Sequence, residues 1–71
     1  MPLVEMSLVE GRAPEQIRTL IDALTEAVEK SIGVPRNTIA VIVREVPATS
    51  WADGGMTIAE RRAAAAKTKA A

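Results

Sequence analysis

A chain of 71 residues is one small domain, at a length where a lone hydrophobic core supplies no more than about 3–5 kcal/mol and a disulfide, a metal or self-association usually adds the rest. Neither cysteine nor histidine is present, which removes disulfides, thiol chemistry, imidazole catalysis and the common zinc sites together and leaves self-association as the expected source of further stability. Nine basic side chains balance nine acidic ones, so no bulk charge draws the chain to nucleic acid or to an anionic membrane.

No apolar stretch is long enough to span a bilayer, and Glu5 stands where a secretory leader would be basic or apolar. The chain is therefore expected to be cytoplasmic, with no membrane partner. Leu3 to Val9 alternates, with Val4, Met6 and Leu8 on one side and Leu3, Glu5, Ser7 and Val9 on the other, the period of a strand with one well-buried face. Gly11 breaks it. Pro14 then suits a first helical position, and Glu15 complements the positive end of a helix dipole.

Ile17, Leu20, Ile21, Leu24, Ala27, Val28 and Ile32 recur at helical spacing, with Arg18, Asp22, Glu26, Glu29 and Lys30 on the opposite side. Gly33 and Pro35 end the helix near Ser31 or Ile32. Thr38 to Val46, rich in β-branched residues and closed by Pro47, is the second strand. A strand, a helix and a strand imply a right-handed crossover and two parallel strands, a short β-α-β unit of the α/β (α+β) class. Two parallel strands leave edges and a face open, so copies of the chain must complete the sheet. Residues 48–55 read as a loop around Trp51, the sole aromatic, and the stretch from Met56 as a short helix or a frayed tail. The domain is drawn at 1–62 and an alanine- and lysine-rich tail at 63–71. Arg61, Arg62, Lys67 and Lys69 read as a solvated surface with no nucleic-acid partner.

A strand that starts with Pro2 lacks an amide proton to give to a sheet. Removal of Met1 would turn that handicap into a free secondary amine, the most reactive base available here. Among apolar side chains such as Leu8, Ile39 and Trp51 its cation would be poorly solvated, and nearby arginine charge would act in the same direction, so its pKa would fall toward neutrality. Such a base suits proton abstraction next to a carbonyl.

Pro2 with Glu10-Gly11-Arg12, the amphipathic helix, the Gly33-x-Pro35 break and the Trp51-x-x-Gly54-Gly55 loop resemble the 4-oxalocrotonate tautomerase family, from Pro2 to about Arg62. The resemblance implies β-α-β subunits that pair and assemble as a homohexamer, a trimer of dimers. It implies Pro2 as the general base that moves a proton between a dienol oxygen and a carbon of a 2-oxo acid. It implies Arg12, reaching in from a neighbouring subunit, as the clamp on a small-molecule carboxylate substrate, and Trp51 as a pocket wall. No cofactor and no metal enter that scheme. The family's second arginine falls on Ala40, which favours a broader enol–keto tautomerase over one dedicated to a dicarboxylate. Arg44, on the same strand face, either substitutes for it or forms an ion pair between subunits. Two alternatives stand beside catalysis by Pro2: a non-catalytic oligomeric binding protein, and a water-adding hydratase or dehalogenase in which Asp53 activates water, although Val9 stands where such enzymes carry another arginine.

Overall fold

The computed structural model describes residues 1–70, with side chains through Lys67; Ala71, the last residue of the tail drawn at 63–71, and the side chain of Lys69 lie outside the described residues. The chain is a small α+β unit: β1 Leu3–Val9, α1 Pro14–Ile32, β2 Ala40–Val46, β3 Ala52–Asp53, β4 Met56–Thr57 and α2 Ile58–Ala70, with a 3-10 turn at Arg36–Thr38. β1 and β2 pair in parallel over their whole length, from Leu3 opposite Ala40 to Val9 opposite Val46.

The alternation read from the sequence is the alternation of exposure from Leu3 to Leu8; Val9, expected on the side of Leu3, Glu5 and Ser7, is half-buried as well. Val4, Met6 and Leu8 on β1, with Val41 and Val43 on β2, are half-buried, while Leu3, Glu5, Ser7, Ala40, Ile42 and Arg44 are exposed on the opposite face. α1 packs on β2 and covers the first of these faces. Its start is held by Pro14, whose absent amide proton costs nothing there, and by Gln16 Oε1, which accepts the Ala13 N–H at 2.9 Å. Its end is a left-handed Gly33 at φ 66°, whose N–H donates to Glu29 O at 3.0 Å. Thr25, the one buried residue among those described at 8% exposure, donates its hydroxyl back to Ile21 O at 2.7 Å.

The second strand starts two residues later than the sequence indicates. Pro35 O accepts both the N–H of Thr38, at 3.0 Å, and its hydroxyl, at 2.7 Å, which closes a turn before the ladder can begin. Arg36 ties that turn to α1, reaching Asp22 and Glu29 at 3.5 Å each.

The stretch expected to be a loop contains a hairpin. Ala52 pairs with Thr57 and Asp53 with Met56, and Gly54 and Gly55 turn the chain with φ of 60° and 82°. Positive φ at both central residues is the twist that a two-residue hairpin requires, which explains the Gly-Gly pair. α2 then forms as a helix through Arg62, the last residue assigned to the domain from sequence, and on to Ala70. Thr57 and Glu60 cap it reciprocally: the Glu60 N–H donates to Thr57 Oγ1 at 3.0 Å, and the Thr57 N–H to Glu60 Oε1 at 2.8 Å.

No hydrophobic side chain is fully buried among the described residues. The radius of gyration is 16.6 Å over extents of 53 × 24 × 17 Å, against about 11 Å for a compact domain of this length. α2 accounts for much of the elongation, because its extensive packing is confined to β4.

Candidate active site

Pro2 is half-buried at the head of β1, next to the fully solvated Met1. Its carbonyl accepts the Ala40 N–H at 3.0 Å, which joins the first residues of the two parallel strands. Pro2 thus enters the sheet through its acceptor alone. A missing amide proton is no loss at that position.

Arg12 is exposed beyond the other end of β1. Gly11 makes the exit at φ 134°, a conformation that other residues rarely adopt, and the Arg12 guanidinium folds back so that Nη1 donates to Val9 O at 3.0 Å. From Pro2 to Val9 a parallel strand rises roughly 23 Å. No arginine side chain spans that gap, so Pro2 and Arg12 of one chain do not meet. The remaining N–H groups of Arg12 have no acceptor among the described residues and could bind a carboxylate.

Trp51 follows β2 at the same end as Arg12. Pro47 O accepts the Ser50 N–H at 2.8 Å to form a tight turn, and Trp51 O accepts the Ile58 N–H at 2.8 Å, which fixes the half-buried indole at the base of the hairpin. Of the apolar neighbours expected for Pro2, Ile39 lies beside it through Ala40, whereas Leu8 stands about 20 Å further along β1. Leu8 lies on β1 as the sequence indicates, whereas Ile39 precedes β2 and Trp51 follows it.

Arg44 is on the exposed sheet face and donates through Nη2 to Glu5 Oε1 at 3.0 Å within its own chain. Asp53 sits in β3 with its side chain exposed; its main-chain carbonyl accepts from Arg61 Nη2 at 3.3 Å. Arg61, counted from sequence among the solvated cations, therefore braces the hairpin. A shallow concavity along α2, lined by Glu60, Ala63, Ala64, Ala66 and Lys67, holds none of the expected site residues. Three carboxylates do not converge anywhere among the described residues as a metal site would need. Perturbed titration belongs to the helices: a hydrogen bond from Lys30, with its charge, holds Glu26 below the usual carboxylate range and raises Lys30 in turn, and the backbone and hydroxyl of Thr57 lower Glu60.

A parallel β-α-β unit that opens on a half-exposed proline and carries an arginine at the opposite strand end has close counterparts. The family profile described as Tautomerase enzyme matches residues 2–61. A probable tautomerase of Ralstonia nicotianae is 43% identical over 56 residues, which cover 79% of this chain and 80% of the relative. Among solved structures, TomN, described as a 4-oxalocrotonate tautomerase homologue of the tomaymycin biosynthetic pathway, superposes with a TM-score of 0.85 at 44% identity, covering 87% of this chain and 95% of its own. A heterohexamer 4-oxalocrotonate tautomerase from Chloroflexus aurantiacus does so with a TM-score of 0.81 at 38% identity, over 84% of this chain and 97% of its own. The chain belongs to the tautomerase family. No helix among the described residues is long and apolar enough to cross a membrane.

Proposed function

We propose that the chain is an enol–keto tautomerase, an isomerase of small 2-hydroxydienoic or 2-oxo acids, that works as a closed oligomer with Pro2 as its general base once Met1 is removed. The observation that carries this is the coincidence of two facts about Pro2: the family match begins on it, and it stands half-exposed at the open head of β1 with its carbonyl engaged and its nitrogen outside the ladder. Met1, 98% exposed, is accessible to removal.

In the proposed reaction the amine of Pro2 takes the proton of the dienol hydroxyl, and the resulting ammonium returns a proton to the carbon that becomes saturated, so the atoms balance without a co-reactant. A cationic clamp holds the substrate carboxylate. Arg12 fits this role, and because it lies at the far end of β1 from its own Pro2, the clamp comes from another copy. Trp51, at the same end as Arg12, would close the pocket that the two chains share.

The assembly is proposed as a homohexamer. The elongated shape and the absence of any fully buried hydrophobic side chain among the described residues support self-association, as does the hexameric description of the Chloroflexus aurantiacus neighbour. With Ala40 where the family's second arginine falls, a monocarboxylate enol should be handled about as well as a dicarboxylate. The test is an ultraviolet assay of the Met-free protein with phenylenolpyruvate and 2-hydroxymuconate. Ketonisation that Pro2→Ala slows by about two orders of magnitude or more supports the proposal, and an inactive parent chain removes it.

A further inference from the structure

The zero net charge of the chain hides a division. Eight acidic and five basic side chains precede Ile58, a net of −3, whereas one acidic and four basic side chains follow from Ile58 onward, a net of +3. The structure sharpens it. Ahead of α2 every cation except Arg12 is in an ion pair: Arg18 with Asp22, Lys30 with Glu26, Arg36 with Asp22 and Glu29, and Arg44 with Glu5. On α2 the exposed Arg61, Arg62 and Lys67 form no ion pair among the described residues. Arg61 donates only to a main-chain carbonyl, Asp53 O, which leaves its charge uncompensated. Lys69 adds to the positive count through sequence alone.

This free positive charge has a fixed root. Ile58, the first residue of α2, donates its N–H to Trp51 O at 2.8 Å, so the helix springs from the residue proposed to wall the pocket, at the strand end that also carries Arg12. At 1.5 Å of rise per residue, Arg62 stands about 6 Å along the helix from Ile58 and Lys67 about 14 Å. From Ile58 onward there is no aromatic residue on which a nucleobase could stack, and alanine fills most of the surface between the cations. A small anion that arrives by diffusion is the ligand this arrangement suits.

We propose that α2 is an electrostatic guide for the anionic substrate, with Arg62 and Lys67 raising its local concentration beside Trp51 and taking no part in the bound complex. The inference rests on the proposed reaction, whose substrates carry one or two carboxylates, and it adds a dependence on substrate charge. A unit charge about 12 Å away in water changes a local concentration by slightly less than a factor of two. Two cations acting on two carboxylates then give about tenfold, and on one carboxylate about threefold. Screening sets where this shows: the Debye length is about 30 Å at 0.01 M ionic strength, about 8 Å at 0.15 M and about 3 Å at 1 M. The parity between substrates expected from Ala40 therefore belongs to moderate and high salt, and at low salt the dicarboxylate gains.

The test is the double variant Arg62→Gln with Lys67→Gln, in which glutamine keeps the helix propensity and removes the charge. At about 0.01 M ionic strength kcat/KM should fall about tenfold for 2-hydroxymuconate and about threefold for phenylenolpyruvate, with kcat unchanged for both. At about 1 M the variant and the parent should coincide. The charge-retaining pair Arg62→Lys with Lys67→Arg should behave as the parent at every ionic strength. Three results overturn the inference: equal kcat/KM in variant and parent at low salt, a deficit that persists at 1 M, or a loss confined to kcat. Each of these, in an active protein, leaves the proposed chemistry standing, whereas a parent chain inactive on both substrates removes the chemistry and the guide together.

Discussion

Chains disabled at opposite ends of β1 should repair each other if the site is shared. Pro2→Ala removes the secondary amine and should cost about two orders of magnitude in activity. Arg12→Ala removes charge-assisted hydrogen bonds of roughly 1.5–3 kcal/mol, or about tenfold to a few hundredfold in kcat/KM. The guanidinium of Arg12 is held at Val9 O, 3.0 Å away, and Val9 lies roughly 23 Å from Pro2, so a site that uses both would take its proline from one chain and its arginine from another. When the two variants are unfolded together in equal amounts and refolded, a site draws an intact proline half the time and an intact arginine half the time. About one site in four is then whole, and activity should rise to about a quarter of the parent's. Variants refolded separately and then pooled provide the baseline, at about a twentieth or less. A site contained within a single chain would never be whole in the mixture. Co-refolded protein no more active than the pooled baseline, with mixed oligomers verified by native mass spectrometry, would refute the shared site.

Other consequences follow from the same geometry. Ala40→Arg should raise kcat/KM for 2-hydroxymuconate relative to phenylenolpyruvate, because position 40 is exposed beside Pro2 and its bond to Pro2 uses only the backbone; an unchanged ratio in a steady-state assay would dissociate position 40 from the pocket. Gly11→Ala should destabilise the protein by about 1–3 kcal/mol in denaturant unfolding, since a φ of 134° strains any side chain although nothing lies within 4 Å of the added methyl group. Thr57→Ala should cost ~1 kcal/mol of helix stability and raise hydrogen exchange in the first turn of α2. The Glu60 carboxyl, lowered by the Thr57 backbone and hydroxyl bonds, supports that cap above the usual glutamate range and releases it as pH falls through its depressed value; circular dichroism in acid should show parent helicity fall toward that of Glu60→Ala.

Much of the fold was legible because its signals are local. The alternation of Val4, Met6 and Leu8, the break at Gly11, Pro14 at the first helical position and Gly33 at the end each act within a turn or two of chain, and the structure places β1 and α1 within those signals. The hairpin was missed because strands of two residues are too short for any period to register; Gly54-Gly55 was its only sign. The capping box from Thr57 to Glu60 was present as a threonine and a glutamate three positions apart, yet the alanine-rich segment after it offers little apolar face to commit to a helix. The start of β2 slipped because Thr38 suits a strand by propensity while both its donors are drawn to Pro35 O. For the site, the absence of histidine and cysteine made Pro2 the natural candidate for a base that works near neutrality. What the local signals did not convey was the reach of Arg44 across the strand pair to Glu5.

The central claim is that the amine of Pro2 is the base, and a paired mass and activity measurement addresses it most directly. Protein whose intact mass shows that Met1 is absent is compared with protein that retains it, each assayed for ketonisation of phenylenolpyruvate across pH. The Met-free protein should be active with a limb near neutrality that reports the free amine, and the Met-retaining protein, in which that nitrogen is an amide, should lose about two orders of magnitude or more. Equal activity in the two forms would contradict the claim.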